Sequence, residues 1–147
     1  MYDGDEVKIT PGMQRYIDKN NAYLAERDRY IREVVKKWKF DTIAVHGLYS
    51  VQDAIEDYQG AIIEPIFMSS SQAYRDSDEM AAALAYLIPT WCYSRIANPS
   101  TYYYEWTLAL LEGYGFDGET SCCSTSSGMA AIMTAVQPFL VHKRHHT

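Results

Sequence analysis

The sequence predicts a mostly helical chain with an extended arm and about one strand. Three observations carry that prediction. Apolar residues recur at helical spacing from Pro11 to about Trp38. The period disappears over residues 40–78, where Gly47, Gly60, Pro65 and Ser69-Ser70-Ser71 punctuate the chain. A short run of small residues at 121–125 then enters a Ser/Gly turn from which a further helix leaves. A complete α/β domain needs several strands with helices on both faces. One strand does not build that sheet, so apolar surface is expected to stay uncovered unless a partner supplies the rest.

The first helix is signalled by Thr10-Pro11, an N-cap followed by proline at the first helical position. Ile17, Leu24, Ile31 and Trp38 recur every seven residues, with Tyr16, Tyr23 and Tyr30 alongside. Such a stripe packs either on the chain's own domain or on a partner subunit, and its tyrosines suit both. Residues 40–78 read as an extended arm with little regular structure. A stretch that long is unusual in a compact domain unless it is functional or lies across another surface.

Asp76 or Ser77 is expected to cap a short helix through residues 79–87, ended by Pro89. A polar loop follows, Tyr93-Ser94-Arg95-Ile96-Ala97-Asn98-Pro99-Ser100. Asn98-Pro99-Ser100 is a turn-and-cap signal for a helix over 101–111, with Gly113 as its C-terminal cap and Glu105 placed to favour the helix dipole. The last helix spans Met129 to about Val136, its extent limited by Pro138.

Composition bounds the function. The chain has 147 residues, 48% hydrophobic and 22% charged, which fits one globular domain. Its net charge of -6 argues against nucleic acid as a partner. No apolar run approaches the ~18 residues of a membrane span. The N-terminus MYDGDEVKIT lacks the apolar core of a signal peptide, so the expected location is cytoplasmic. Cys92, Cys122 and Cys123 have neither disulfide nor zinc spacing and are expected to be buried and reduced. His142, His145 and His146 sit in a terminal tail that reads as solvated, and no metal site is expected. Thirteen tyrosines favour an oligomer.

Two segments carry candidate chemistry. In Ser124-Thr125-Ser126-Ser127-Gly128-Met129 a helix start offers unpaired N–H groups, glycine allows close approach and serine adds hydroxyls. The segment reads either as an anion site or as a plain capped helix. Tyr93 and Arg95 lie two residues apart and face one way if the loop is extended. They suit a phosphate, or a packed tyrosine beside a surface salt bridge. No GxGxxG or Walker-type motif is present.

The order of segments resembles the cystathionine γ-synthase/γ-lyase family of pyridoxal-phosphate (PLP) enzymes. Residues 40–47, FDTIAVHG, resemble T-x-x-x-H-x-G, with one residue missing between His46 and Gly47. Residues 59–66, QGAIIEPI, resemble G-A-x-x-x-P-I, and residues 93–100, YSRIANPS, resemble Y-[ST]-R-x-x-N-P-T. LALLEG at 108–113 is similar to L-A-x-L-E-G, and 127–131 matches S-G-M-A-A. The loop at 93–100 and the 76–88 helix look closest to O-acetylhomoserine sulfhydrylases or methionine γ-lyases.

The resemblance implies an incomplete α/β fold, that of the fold type I PLP-dependent transferases. It divides the chain into a helical N-terminal extension (1–39), an extended inter-subunit arm (40–78), the start of the PLP-binding domain (79–141) and a tail unlike the family (142–147). It implies γ-elimination or γ-replacement on sulfur amino acids or O-acylhomoserine. Ser127, Gly128 and Met129 would hold the chain's own PLP phosphate, and Tyr93 and Arg95 a neighbouring subunit's. The family's lysine that carries the cofactor has no match among Lys8, Lys19, Lys36, Lys37, Lys39 and Lys143, so no catalytic residue is expected in this chain. The implied partners are a homo-oligomer, two dimers by family, or a complementary C-terminal polypeptide, with a small amino-acid substrate. The alternatives are a non-catalytic oligomerisation module derived from that family and an unrelated phosphate-binding module.

Overall fold

Thr10 begins the first helix as expected. In the computed structural model, which describes residues 7–88 and 91–140, its hydroxyl accepts the Met13 N–H at 3.1 Å, with Pro11 next in line. Helix α1 (Pro11–Glu33) follows. It stops five residues before Trp38. A 3-10 turn at Val35–Lys37 takes over, and the Trp38 ring meets Tyr30 edge-on at 6.4 Å. The seven-residue repeat continues past the helix because a tight turn and an aromatic contact carry it on.

Residues 40–56 depart from the expected arm. They form α2 (Phe40–His46) and α3 (Val51–Glu56). Ser50 caps α3 with a reciprocal box: its hydroxyl accepts the Asp53 N–H, and the Asp53 carboxylate accepts the Ser50 N–H. Such a box fixes a helix start too short to show a period. Between the two helices Gly47 has a φ of 55°, and a Cβ there would lie 2.3 Å from Thr107 Oγ1. Only glycine lets α2 pack this closely on its neighbour. The chain is extended after Gly60, where Ile62, Ile63, Ile66 and Met68 are all exposed.

Helix α4 (Ser77–Leu84) is capped by Asp76, whose carboxylate accepts the Glu79 N–H. It ends earlier than residue 87. Tyr86 takes a left-handed φ of 57°, Leu87 N–H bonds Ala82 O and Tyr86 N–H bonds Ala83 O. These are the two bonds of a Schellman end. Pro89, expected to end the helix, lies outside the described residues. Helix α5 (Pro99–Glu112) begins two residues earlier than predicted because Asn98 caps it and Pro99 fills its first position. Helix α6 (Gly128–Leu140) runs through Pro138. Proline there removes one backbone donor, but its fixed φ is helical.

The expected strand at 121–125 does not form. Among the described residues the only β pairing is one antiparallel bridge, Ser71 to Tyr93. A strand needs neighbours to satisfy its backbone, and the sheet that would supply them is absent here.

Helix α1 links two cores. Near its C-terminal end, Ile31 and then Val35 pack with Ile43, Leu48, Tyr49, Ala54, Tyr103 and Leu110. Near its N-terminal end, Met13 packs with Ala82, Ala83, Ile88 and Cys92. Between them Arg27 forms a buried ion pair with Asp53, 2.7 Å from Nη1 to Oδ1. The Arg27 guanidinium also lies 5.7 Å from the Tyr103 ring centroid. The N-terminal helix is therefore tied to α3 and α5. No helix among the described residues is long and apolar enough to cross a membrane.

Candidate functional site

Ser127 caps α6: its hydroxyl accepts the Ala130 N–H at 3.2 Å and its carbonyl accepts the Ala131 N–H at 3.0 Å. Thr125 Oγ1 donates to the Ser127 carbonyl at 2.9 Å, which closes the turn from the other side. The N–H groups of Gly128 and Met129 then have no partner within the helix, as the geometry of any helix start requires. Residues 125–129 are all exposed. A Cβ built on Gly128 would meet nothing within 4 Å, so space lies open beside the two free donors. Thirteen residues of aligned peptide dipoles stand behind them. Two free N–H groups, hydroxyl-bearing side chains and an open glycine face suit a phosphate.

Tyr93 and Arg95 do not lie along an extended loop. Residues 94–96 form a turn, closed by Ile96 N–H and Ala97 N–H on the Tyr93 carbonyl at 2.8 and 3.0 Å. The turn folds Arg95 back so that its guanidinium lies 5.6 Å from the Tyr93 ring centroid. Both side chains are exposed. Arg95 has no acidic partner within 4.0 Å among the described residues, so the alternative of a surface salt bridge is not what holds it. No hydrogen bond among those residues joins this pair to residues 127–129. Each group is held by its own turn, with no hydrogen bond between the two among the described residues.

Two elements that sequence reasoning missed hold these groups in place. The arm is stitched to the Tyr93 loop: Ser94 N–H bonds Ser70 O at 3.0 Å, Phe67 N–H bonds Ser100 Oγ at 2.9 Å, and Asn98 Nδ2 bonds Phe67 O at 3.1 Å. Glu105 holds the other group. It sits seven residues into α5, too far in to serve the dipole, and its Oε1 accepts both the Ser124 N–H at 2.6 Å and the Ser124 hydroxyl at 2.7 Å. The motif spelling carries no signal for either contact.

The expected burial of all three thiols holds for Cys92 alone, since Cys122 is half-buried and Cys123 exposed. Cys92 is buried, and burial, then Glu105, pushes the Cys122 thiol up. Among the described residues no group of three or more His, Cys, Asp or Glu side chains is placed to hold a metal ion, and the terminal histidines lie outside them. A cleft of about 750 Å³ lies elsewhere, lined by Tyr23, Tyr30, Trp38, His46 and the Arg27–Asp53 pair. Its one arginine pairs with Asp53 through Nη1, while its Nε and Nη2 are buried without a hydrogen-bond partner among the described residues.

Comparisons with known proteins find sequence matches over most of the chain. The model of the family described as Cys/Met metabolism PLP-dependent enzyme matches residues 41–146. The match begins after α1 and runs to residue 146, so it includes most of the 142–147 tail expected to lie outside the family. L-methionine gamma-lyase of Porphyromonas gingivalis is 31% identical over 105 residues, covering 71% of this chain and 24% of that protein. Homocysteine/cysteine synthase of Kluyveromyces lactis is 34% identical over 97 residues, covering 66% and 20%. O-succinylhomoserine sulfhydrylase of Pseudomonas aeruginosa is 34% identical over 97 residues, covering 66% and 22%. The chain thus spans about a quarter of the length of the curated relatives it matches. No solved structure matches it.

Proposed function

The chain belongs to the Cys/Met metabolism PLP-dependent enzyme family, and from that premise we infer that residues 127–129 hold the phosphate of pyridoxal phosphate. The observation that carries this reading is the pair of unpartnered N–H groups at Gly128 and Met129 beside open space. Ser127 orients the turn by taking the Ala130 N–H, which leaves the two preceding donors for the anion. The helix dipole adds to their attraction. Bound pyridoxal phosphate would supply an electron sink for bond cleavage in an amino-acid substrate.

Tyr93 and Arg95 reach the phosphate of a second subunit's cofactor. The supporting observation is that both are exposed, lie together at 5.6 Å and face no acid of their own chain. The active assembly is then a homo-oligomer, with the stitched arm of residues 61–75 running between subunits. The whole protein carries out γ-elimination or γ-replacement on a sulfur amino acid or an O-acylated homoserine, as the names of the relatives suggest. We assign no catalytic role to the lysines of this chain.

The test compares pyridoxal phosphate with pyridoxal, which lacks the phosphate, by equilibrium dialysis against the chain. Binding of the phosphorylated form alone, weakened about tenfold by Gly128→Val with helix content unchanged, is the expected result. Equal retention of both compounds would contradict phosphate recognition. The exposed apolar faces of α6 and the arm also suit a non-catalytic assembly module, which predicts self-association with no preference for the phosphorylated compound.

A further inference from the structure

The geometry points to Glu105 as the positioning residue of the phosphate turn, an inference that rests on the phosphate reading of residues 127–129. The segment before the turn has no regular secondary structure and is held to the body by side-chain bonds. Lys36 Nζ donates to Gly118 O at 2.8 Å, and Thr120 Oγ1 donates to Ala109 O at 2.8 Å. Glu105 comes last, accepting two bonds from Ser124.

Beyond Ser124, among the described residues, the hydrogen bonds of the turn and of α6 are all internal to them. Helix α6 buries no residue. The direction in which the Gly128 and Met129 donors point is therefore passed to the body through Ser124, three residues before the cap, and through one carboxylate oxygen. That oxygen takes a backbone and a side-chain donor from the same residue, which fixes both the position and the rotation of Ser124. A single bond would leave the segment free to pivot.

The choice of helix matters. Glu105 stands on α5, whose Asn98 cap and Ser100 hydroxyl hold the arm, and whose N-terminus follows the Tyr93–Arg95 loop. Six residues of helix, about 9 Å at 1.5 Å per residue, separate Pro99 from Glu105. Helix α5 thus sets the spacing between the two halves of the phosphate set. The carboxylate does this despite carrying the same sign of charge as the anion. Its contribution is therefore geometric, and a neutral acceptor of the same shape should replace it.

The experiment titrates inorganic phosphate into the 147-residue chain and follows the amide NMR shifts of Gly128 and Met129, with the exchange rate of the Ser124 amide as a second readout. Glu105→Ala should weaken phosphate binding at least about tenfold and expose the Ser124 amide. A loss of this size corresponds to about 1.4 kcal/mol. Glu105→Gln, which keeps the acceptor and drops the charge, should bind as tightly as the unaltered chain or tighter. Ser124→Ala, which removes one of the two bonds, should weaken binding about threefold, and it carries the test if Glu105→Ala does not fold. Unchanged affinity in Glu105→Ala or Ser124→Ala, or failure of Glu105→Gln to rescue, overturns the positioning role alone. Absence of phosphate-dependent shifts in the unaltered chain overturns the phosphate reading itself, and this inference with it.

Discussion

Helix α1 carries nine charged residues and helix α6 none, yet α1 is the one that the chain packs into its cores. Helix α1 buries Met13 and Ile31 in two separate cores and holds Arg27 against Asp53 between them. Helix α6 buries nothing: Met129, Ile132, Met133, Val136, Phe139 and Leu140 are each at least 43% exposed. The helix outside the family match is the one built into the body, and the helix that carries the proposed phosphate turn stands uncovered. An anchored helix tolerates little change. A helix tethered only through the segment before its cap keeps its N-terminal donors accessible.

The strongest way to break the contrast is at the buried pair. Arg27→Ala leaves the Asp53 carboxylate buried without its partner and should cost about 3–5 kcal/mol of stability, as seen when one member of a buried pair is removed. Chemical denaturation monitored by tryptophan fluorescence reads this. A loss under about 1 kcal/mol would mean that α1 is not anchored by this contact.

Paired substitutions sharpen the comparison. Ile31→Ala should cost about 3 kcal/mol, a typical value for emptying a packed aliphatic site. Ile132→Ala, at 58% exposure, should stay within about 0.5 kcal/mol. Similar costs for the two would show that α6 is covered in solution.

The aromatic surroundings of Arg27 give a smaller, pH-dependent effect. Burial pushes the Tyr103 hydroxyl well above the usual range of about 10, and burial pushes Tyr23 up to about 12. Because the folded values are raised, their contribution is complete below pH 10 and is lost as pH rises through 12. Phenolate absorbance of Tyr103 should therefore appear only together with unfolding. Its titration near pH 10 in the folded chain would contradict its burial.

The smallest effect lies at the N-terminal end of α1, where the Tyr16 hydroxyl donates to Asp76 at 2.7 Å. The Glu79 N–H and then Tyr16 hold the Asp76 carboxyl below its ordinary 3.8. A lowered folded value means that the contact supports the fold above about pH 4 and fails as pH falls through the lowered value. Asp76→Asn should lessen the acid sensitivity of the melting temperature slightly.

Caps and punctuation were legible in the sequence because they act over two or three residues. Thr10, Asp76 and Asn98 cap the helices they were read to cap, and the Ser/Gly turn opens α6. Contacts between distant residues were not legible. Arg27 and Asp53 lie 26 residues apart, and Glu105 and Ser124 lie 19 apart. Helices α2 and α3 escaped notice because they are 7 and 6 residues long and expose Val45, Val51 and Ile55, so no stripe marks them. The strand at 121–125 had suitable residues but no neighbouring strands to pair with. Within the candidate site, residue types were readable at Ser127, Gly128 and Met129. The turn that folds Arg95 over Tyr93 was not, since it depends on backbone bonds to one carbonyl.

Residue-resolved hydrogen exchange with and without pyridoxal phosphate sets the anchored helix against the uncovered one. Strong protection around Ile31 is expected in both conditions. Gly128 and Met129 should exchange fast in the free chain and slow on adding pyridoxal phosphate, but not on adding pyridoxal. Protection of those two amides in the free chain, or ligand-induced protection centred on Arg27 and Asp53 instead, would contradict the phosphate reading of residues 127–129.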